Sequence, residues 1–232
     1  MYPSFIVEYG VSPHHLSSKV FLGIVEWLRT TRLDAKHSGR KLEADALKIV
    51  INRIYGALND AMDYLYDPEC TYTVTINLQL LLCNLIEAFE LNNFDVLSAN
   101  TDGLLVRLPI SRKDTFKHIC KEWEDYSKLT LKTEKFEKYC RSAVNDYIAV
   151  GYGFYDALQE YNRCGVWIDS KGNTYTTRQA IEDKFIKFKG YFLQDPEYNK
   201  GFVYPVVKKA LKEYFLYGVN ITEFIKNFSC LI

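Results

Sequence analysis

Apolar residues recur at helical spacing in the first quarter of the chain and at strand spacing further on, and this change of period lays out its organisation. Leu47, Ile51, Ile54 and Leu58 form one stripe at intervals of three and four, while Lys48, Asn52 and Tyr55 form a polar stripe roughly a quarter turn away. One face of such a helix packs, and the other is free to hold a ligand. With the residues before it, this segment predicts a helical hairpin over residues 14 to 59, turning near Lys36-His37-Ser38-Gly39-Arg40. In its first arm Arg29, Arg32 and Lys36 share a face, which suits an anion.

Beyond the hairpin the pattern mixes periods. Phe94–Ala99 and Leu104–Leu108 are strand-like runs joined by Asn100-Thr101-Asp102-Gly103, which predicts a β-hairpin with Asp102 at its tip. Helices are expected near 77 to 92 and 112 to 127, and strands near 129 to 136 and 143 to 150. Antiparallel strands backed by helices make residues 60 to 150 an α+β unit. From residue 151 onward, Gly151-Tyr152-Gly153 and Asp169-Ser170-Lys171-Gly172-Asn173 read as loops and a turn. Helices near 205 to 217 and 221 to 229 follow, the second opened by Asn220 or Thr222. The most apolar run, Ile76–Phe89, contains Asn77, Gln79, Asn84 and Glu87, so it is expected to be a buried helix and not a membrane span.

The 232 residues are 48% hydrophobic and 15% aromatic, enough for a sizeable core. Net charge is zero, which gives no global argument for a nucleic-acid partner, but Lys184, Lys187, Lys189, Lys200, Lys208, Lys209 and Lys212 make the last third locally basic. Six cysteines without metal-ligand spacing point to a reduced cytoplasmic compartment, and the N-terminus lacks the pattern of a signal peptide. His14, His15, His37 and His118 share no spacing with cysteines or carboxylates and read as surface or capping residues.

An acidic side chain on a hairpin beside a helix offering lysine and asparagine is what a magnesium-nucleotide site requires: hard oxygen ligands for the metal and a cation for the phosphates. Each piece also has an ordinary reading, since Lys and Asn are common on solvated helices and Asp-Gly is a common turn. Taken together and in order, the pieces resemble family B DNA polymerases. Lys48 to Gly56 matches that family's motif B, KxxxNxxYG, and Asn100-Thr101-Asp102-Gly103 is similar to its motif C, DTD followed by a small residue. Met1-Tyr2-Pro3-Ser4 matches the end of motif A, D-x-x-S-L-Y-P-S, and Arg32 to Lys36 matches an RxxxK pattern on the first fingers helix. Further on, Lys187-Phe188-Lys189-Gly190 and Val206 to Leu211 resemble phage-type members more loosely.

The resemblance implies a fragment with fingers (14–59), palm (60–150), a palm-to-thumb region (151–232), and in residues 1–13 the end of the motif A strand. It implies DNA-directed DNA polymerase chemistry with magnesium on Asp102, the catalytic residue. Arg32, Lys36, Lys48 and Asn52 would grip the triphosphate of a dNTP, and Tyr55 and Gly56 would shape the pocket. Tyr2 would exclude a 2′-hydroxyl, or else be a frayed terminal residue. Tyr147, Lys187 and Lys189 would meet primer-template DNA, although the lysine of the family's K-x-Y is absent from Asn145-Asp146-Tyr147. The motif A aspartate would lie four residues before Met1, and Asn100 replaces the first motif C carboxylate. The isolated chain is therefore expected to be inactive. Three alternatives stand beside that expectation: a noncatalytic nucleotide- or nucleic-acid-binding remnant, the C-terminal subunit of a split polymerase whose partner polypeptide carries the rest, and a structural protein with eroded motifs. A phage origin would mean the cytoplasm of a bacterial host, with no membrane partner.

Overall fold

A computed structural model describes residues 1–100, 103–143, 146–190 and 205–227. Asp102, Asn145, Lys200 and Cys230 lie outside the described residues. The chain divides into two compact units, Met1–Leu131 and Lys132–Ile232, so the division falls inside the span expected to form one palm. Helices and small antiparallel sheets make the protein α+β, as its pattern predicts.

The first unit opens with a correction. Residues expected to end a strand form helix α1, Tyr2–Glu8, with Pro3 in its first turn, where proline costs no hydrogen bond. Helices α2 (Ser18–His37) and α3 (Lys41–Leu58) are the expected hairpin. Helix α3 runs past Gly56, where a helix end would be an ordinary reading, and Gly39 turns the chain between the arms with φ +73°, a conformation glycine adopts without strain.

Helix α4, Pro68–Leu91, starts nine residues earlier than expected because Asp67 caps it, accepting from the Cys70 N–H at 3.0 Å. Its Val74, Leu78, Leu82, Leu85 and Phe89 are buried, four of them in a core shared with Phe5, Phe21, Leu58 and Trp123. At 24 residues it extends beyond the apolar run Ile76–Phe89 and is long and apolar enough, by length and composition alone, to cross a bilayer. Its buried stripe nonetheless makes it the central helix of this unit. Strands β1 (Asp95–Ala99) and β2 (Leu104–Arg107) pair antiparallel, and Asn100 N–H donates to Gly103 O at 3.0 Å. A 3-10 turn, Ile110–Arg112, leads into α5, Lys113–Ser127. Trp123 of α5 donates its ring N–H to Leu81 O at 2.8 Å, tying α5 to α4.

In the second unit the strand expected at 129 to 136 begins later. Strand β3 is Phe136–Ala143, and β4, Asp146–Gly151, matches the second expected strand. The alternating Leu129 and Leu131 do not pair; they pack in the first unit's core, where Leu131 N–H also donates to Glu124 at 2.7 Å. Between β4 and its sheet neighbour β7 (Ile186–Lys189) lies an inserted segment where mainly loops were expected: α6 (Phe154–Cys164), a hairpin of β5 (Trp167–Ile168) and β6 (Thr174–Tyr175), and α7 (Arg178–Phe185). The turn expected at Asp169 to Asn173 closes that hairpin. Ile148, Val150, Phe154, Ala157, Ile181 and Ile186 form this unit's core with Leu216 of α8, Pro205–Tyr217. Gly151 packs tightly here, since a Cβ would sit 3.0 Å from Phe185 O and push that carbonyl aside by a few tenths of an ångström. Helix α9, Ile221–Asn227, is capped as expected, by Asn220 Oδ1 accepting from Thr222 and Glu223.

Candidate functional site

The α2–α3 hairpin carries a cleft of about 290 Å³ near its turn, lined by Arg32, Lys36, Gly39, Lys41, Asp45 and Lys48. The tight turn at Gly39 sets the end of one helix against the start of the other: Arg40 N–H returns to Ala35 O and Lys41 N–H to Gly39 O, both at 2.9 Å. Cations from both arms therefore border one hollow. Their neighbours on the same helices are neutralised, Arg29 by Glu26 at 2.7 Å, Arg40 by Glu43 at 2.6 Å, and Arg53 by Asp60 and Asp63. Among the described residues, the four cations of the cleft have no carboxylate partner, and Asp45, at the cleft's edge, makes no ion pair.

One atom is more specific still. Arg32 Nε is shut off from solvent and has no hydrogen-bond partner among the described residues. An unpaired buried N–H costs on the order of 1–3 kcal/mol, and it belongs to a residue that lines the cleft. A cleft with this donor set suits a polyphosphate: guanidinium for oriented hydrogen bonds, ammonium groups for diffuse charge.

Of the residues singled out in the sequence, Arg32, Lys36 and Lys48 meet in this cleft. Arg29 does not, since its Nε and Nη2 both donate to the Glu26 carboxylate along one guanidinium edge. Asn52 is exposed one turn along α3 from Lys48, on the same face but outside the lining. Tyr55 stacks flat on Tyr2, with ring centroids 4.2 Å apart and planes 1° apart, and its hydroxyl lies 2.6 Å from Thr75 Oγ1. Tyr2 is thus packed against Tyr55 of α3, not frayed. Gly56 is exposed, and a Cβ there would meet nothing within 4 Å. Lys41 and Asp45 were missed. Lys41 stands two turns before Lys48, a spacing visible in the sequence.

The second unit brings another set together. Across the β3–β4–β7 sheet, Arg141, Tyr147 and Lys189 stand in one row of partners. Lys189 Nζ lies 6.0 Å from the Tyr147 ring centroid, and Tyr139 flanks that ring at 4.9 Å. Lys187 is committed elsewhere: it pairs with Glu134, and with Lys132 it holds that carboxyl below its usual range. Arg141 was missed because it shows as a row only once strands pair.

Asp102, to which magnesium was assigned, lies outside the described residues. No group of three His, Cys, Asp or Glu side chains fit to hold a metal ion occurs among the described residues. The described residues thus supply no ligand set for that ion.

Compared with known proteins, no family model matches the chain. It is 28% identical to the DNA polymerase of Thermococcus gorgonarius over an aligned span of 159 residues, covering 54% of this chain and 21% of that protein. The chain is related to DNA polymerases over this span, and it spans about a fifth of that relative's length.

Proposed function

We propose that the chain is part of a family B DNA polymerase of the phage type, and that its α2–α3 cleft receives the triphosphate of an incoming deoxynucleotide. The observation that carries this reading is the un-neutralised cation cleft lined by Arg32, Lys36 and Lys48, in which Arg32 also keeps a buried Nε–H without a partner. In this reading Asn52, on the same face of α3, meets the same substrate. The flat Tyr2–Tyr55 stack forms a wall against the sugar, with Gly56 leaving room beside it. The Arg141–Tyr147–Lys189 row tracks the phosphates of primer-template DNA, and Lys187 contributes there after release from Glu134. Asp102 is assigned as the magnesium-carrying catalytic carboxylate on the resemblance alone. The reaction would be attack of a primer 3′-hydroxyl on the α-phosphate.

A second reading has its own support. Asn100 stands where the family has a carboxylate, which favours a noncatalytic nucleotide- or nucleic-acid-binding role for this chain by itself. A split enzyme, in which a partner polypeptide contributes a metal-binding carboxylate, reconciles the two.

Primer extension separates them. The chain is assayed alone and joined to a segment carrying the motif A aspartate, with magnesium and all four deoxynucleotides. Extension by the joined form that falls at least tenfold, about 1.4 kcal/mol, on Lys48→Ala supports the polymerase reading. Folded protein that binds nucleotide yet extends no primer in either form supports the second.

A further inference from the structure

Lys41 is the cation of the cleft that neither the sequence reading nor the polymerase resemblance assigns. We propose that Lys41 is a specificity-determining contact for the terminal phosphate, so that the cleft measures polyphosphate length; this rests on the reading of the cleft as a triphosphate site.

Lys41 and Lys48 both line the cleft and stand seven residues apart on α3, two turns and about 10.5 Å along the axis. A single phosphate gripped at Lys48 leaves Lys41 two turns away, whereas a chain of three phosphates with side chains reaching inward from both ends engages both. Lys41 also stands at the first turn of α3, where the helix dipole favours negative charge, and Arg40 ties down Glu43, the acidic residue of that turn. Arg40 itself offers no side-chain cap to that helix end. The outer end of the cleft is therefore held positive by backbone and side chain together. Asp45, between the two lysines in sequence, also lines the cleft and repels any anion there, so binding needs cations enough to outweigh it.

The test is calorimetric titration of the chain with dATP, dADP and dAMP. Affinity should fall in that order for the unaltered protein. Lys41→Ala should weaken dATP about three- to fivefold, the scale of an exposed charge contact, and leave dAMP unchanged, while Lys41→Arg retains the preference. Lys48→Ala should weaken all three. If Lys48→Ala weakens binding but Lys41→Ala changes nothing, or weakens all three nucleotides equally, the length-measuring role is wrong and the cleft reading survives. If the unaltered chain does not bind dATP, or Lys48→Ala is neutral, the cleft reading fails and the role of Lys41 with it.

Discussion

The two units use the same residue types in opposite ways. In the second unit, Lys184 lies 4.6 Å from the centroids of Trp167 and Tyr175 and pairs with Asp169, whose carboxyl is held well below its usual range by that lysine first and Asn173 next. Glu182, buried on α7, takes Arg178 at 3.0 Å and also Lys212 and the Tyr217 hydroxyl, while the Arg178 guanidinium lies 3.6 Å from the Tyr217 ring centroid. Burial and the hydrogen bond to Glu182 push the Tyr217 hydroxyl well above its ordinary range. These cations are structural, because their charge is already spent on carboxylates and rings. In the α2–α3 hairpin, Arg32, Lys36, Lys41 and Lys48 line a hollow with no carboxylate partner among the described residues. A cation matters for ligand binding when the fold leaves it un-neutralised, whatever the local density of charge.

The largest effect expected from breaking this contrast is on stability. Glu182→Ala leaves Arg178 and Lys212 without their shared carboxylate at the α7–α8 junction and should cost about 3 kcal/mol, below the upper range for fully buried pairs because Arg178 is 45% exposed. Denaturant unfolding measures it; a loss under about 1 kcal/mol would mean the network is not holding α8. In the first unit, Asp67→Ala should cost about 1–2 kcal/mol through loss of the α4 cap and of the bonds from His14.

The same pair has a pH signature of definite sign. Burial pushes the Asp67 carboxyl up, but hydrogen bonds from the Cys70 and His14 N–H groups and the His14 ring outweigh it and hold the value at about 2, below the ordinary 3.8. Its stabilising contribution is therefore complete above pH 3.8 and lost as pH falls toward 2. His14 is raised above 6.5 by its hydrogen bond to Asp67, so its contribution is complete below pH 6.5 and lost as pH rises through the raised value. Unfolding followed against pH should show both limbs in the unaltered chain and neither in Asp67→Ala.

At the small end, Lys36→Ala should change stability by no more than about 0.5 kcal/mol, and Arg32→Ala, which removes an unpaired buried N–H, should not lower it, while both reduce nucleotide affinity, the reverse of Glu182→Ala. Cys83 and Cys164, both exposed, should be alkylated first, and Cys70 and Cys120 slowly, because burial pushes both thiols up to about 11.

Parts of this picture were legible before any coordinates. The α2–α3 hairpin, β1–β2 and the Asn220 cap follow from local chemistry: stripes at three and four, a glycine turn, a side-chain oxygen before a helix. Helix α1 was hidden because seven residues show less than two turns of period, and a proline near a chain end fits several local structures. Leu129 and Leu131 alternate as in a strand, yet their alternation is set by packing near α5, a contact no local pattern reveals. The insert between β4 and β7 went unseen because sheet neighbours lie far apart in sequence and the insert's Phe154, Ala157 and Ile181 pack with residues of both strands and of α8, contacts no local pattern shows. Within the site, Glu26 three residues before Arg29 could have been read as a neutralising partner, which separates Arg29 from Arg32. The row of Arg141, Tyr147 and Lys189 needed strand register, which the sequence does not carry.

The most direct test of the central claim is lysine acylation mapped by mass spectrometry, with and without a deoxynucleoside triphosphate. Lys36, Lys41 and Lys48 should label readily in the free chain and become protected by the nucleotide, while Lys184 and Lys212 label poorly in both states. Equal labelling of the cleft lysines with and without nucleotide, or protection confined to Lys184 and Lys212, would contradict the claim that un-neutralised cations define the site.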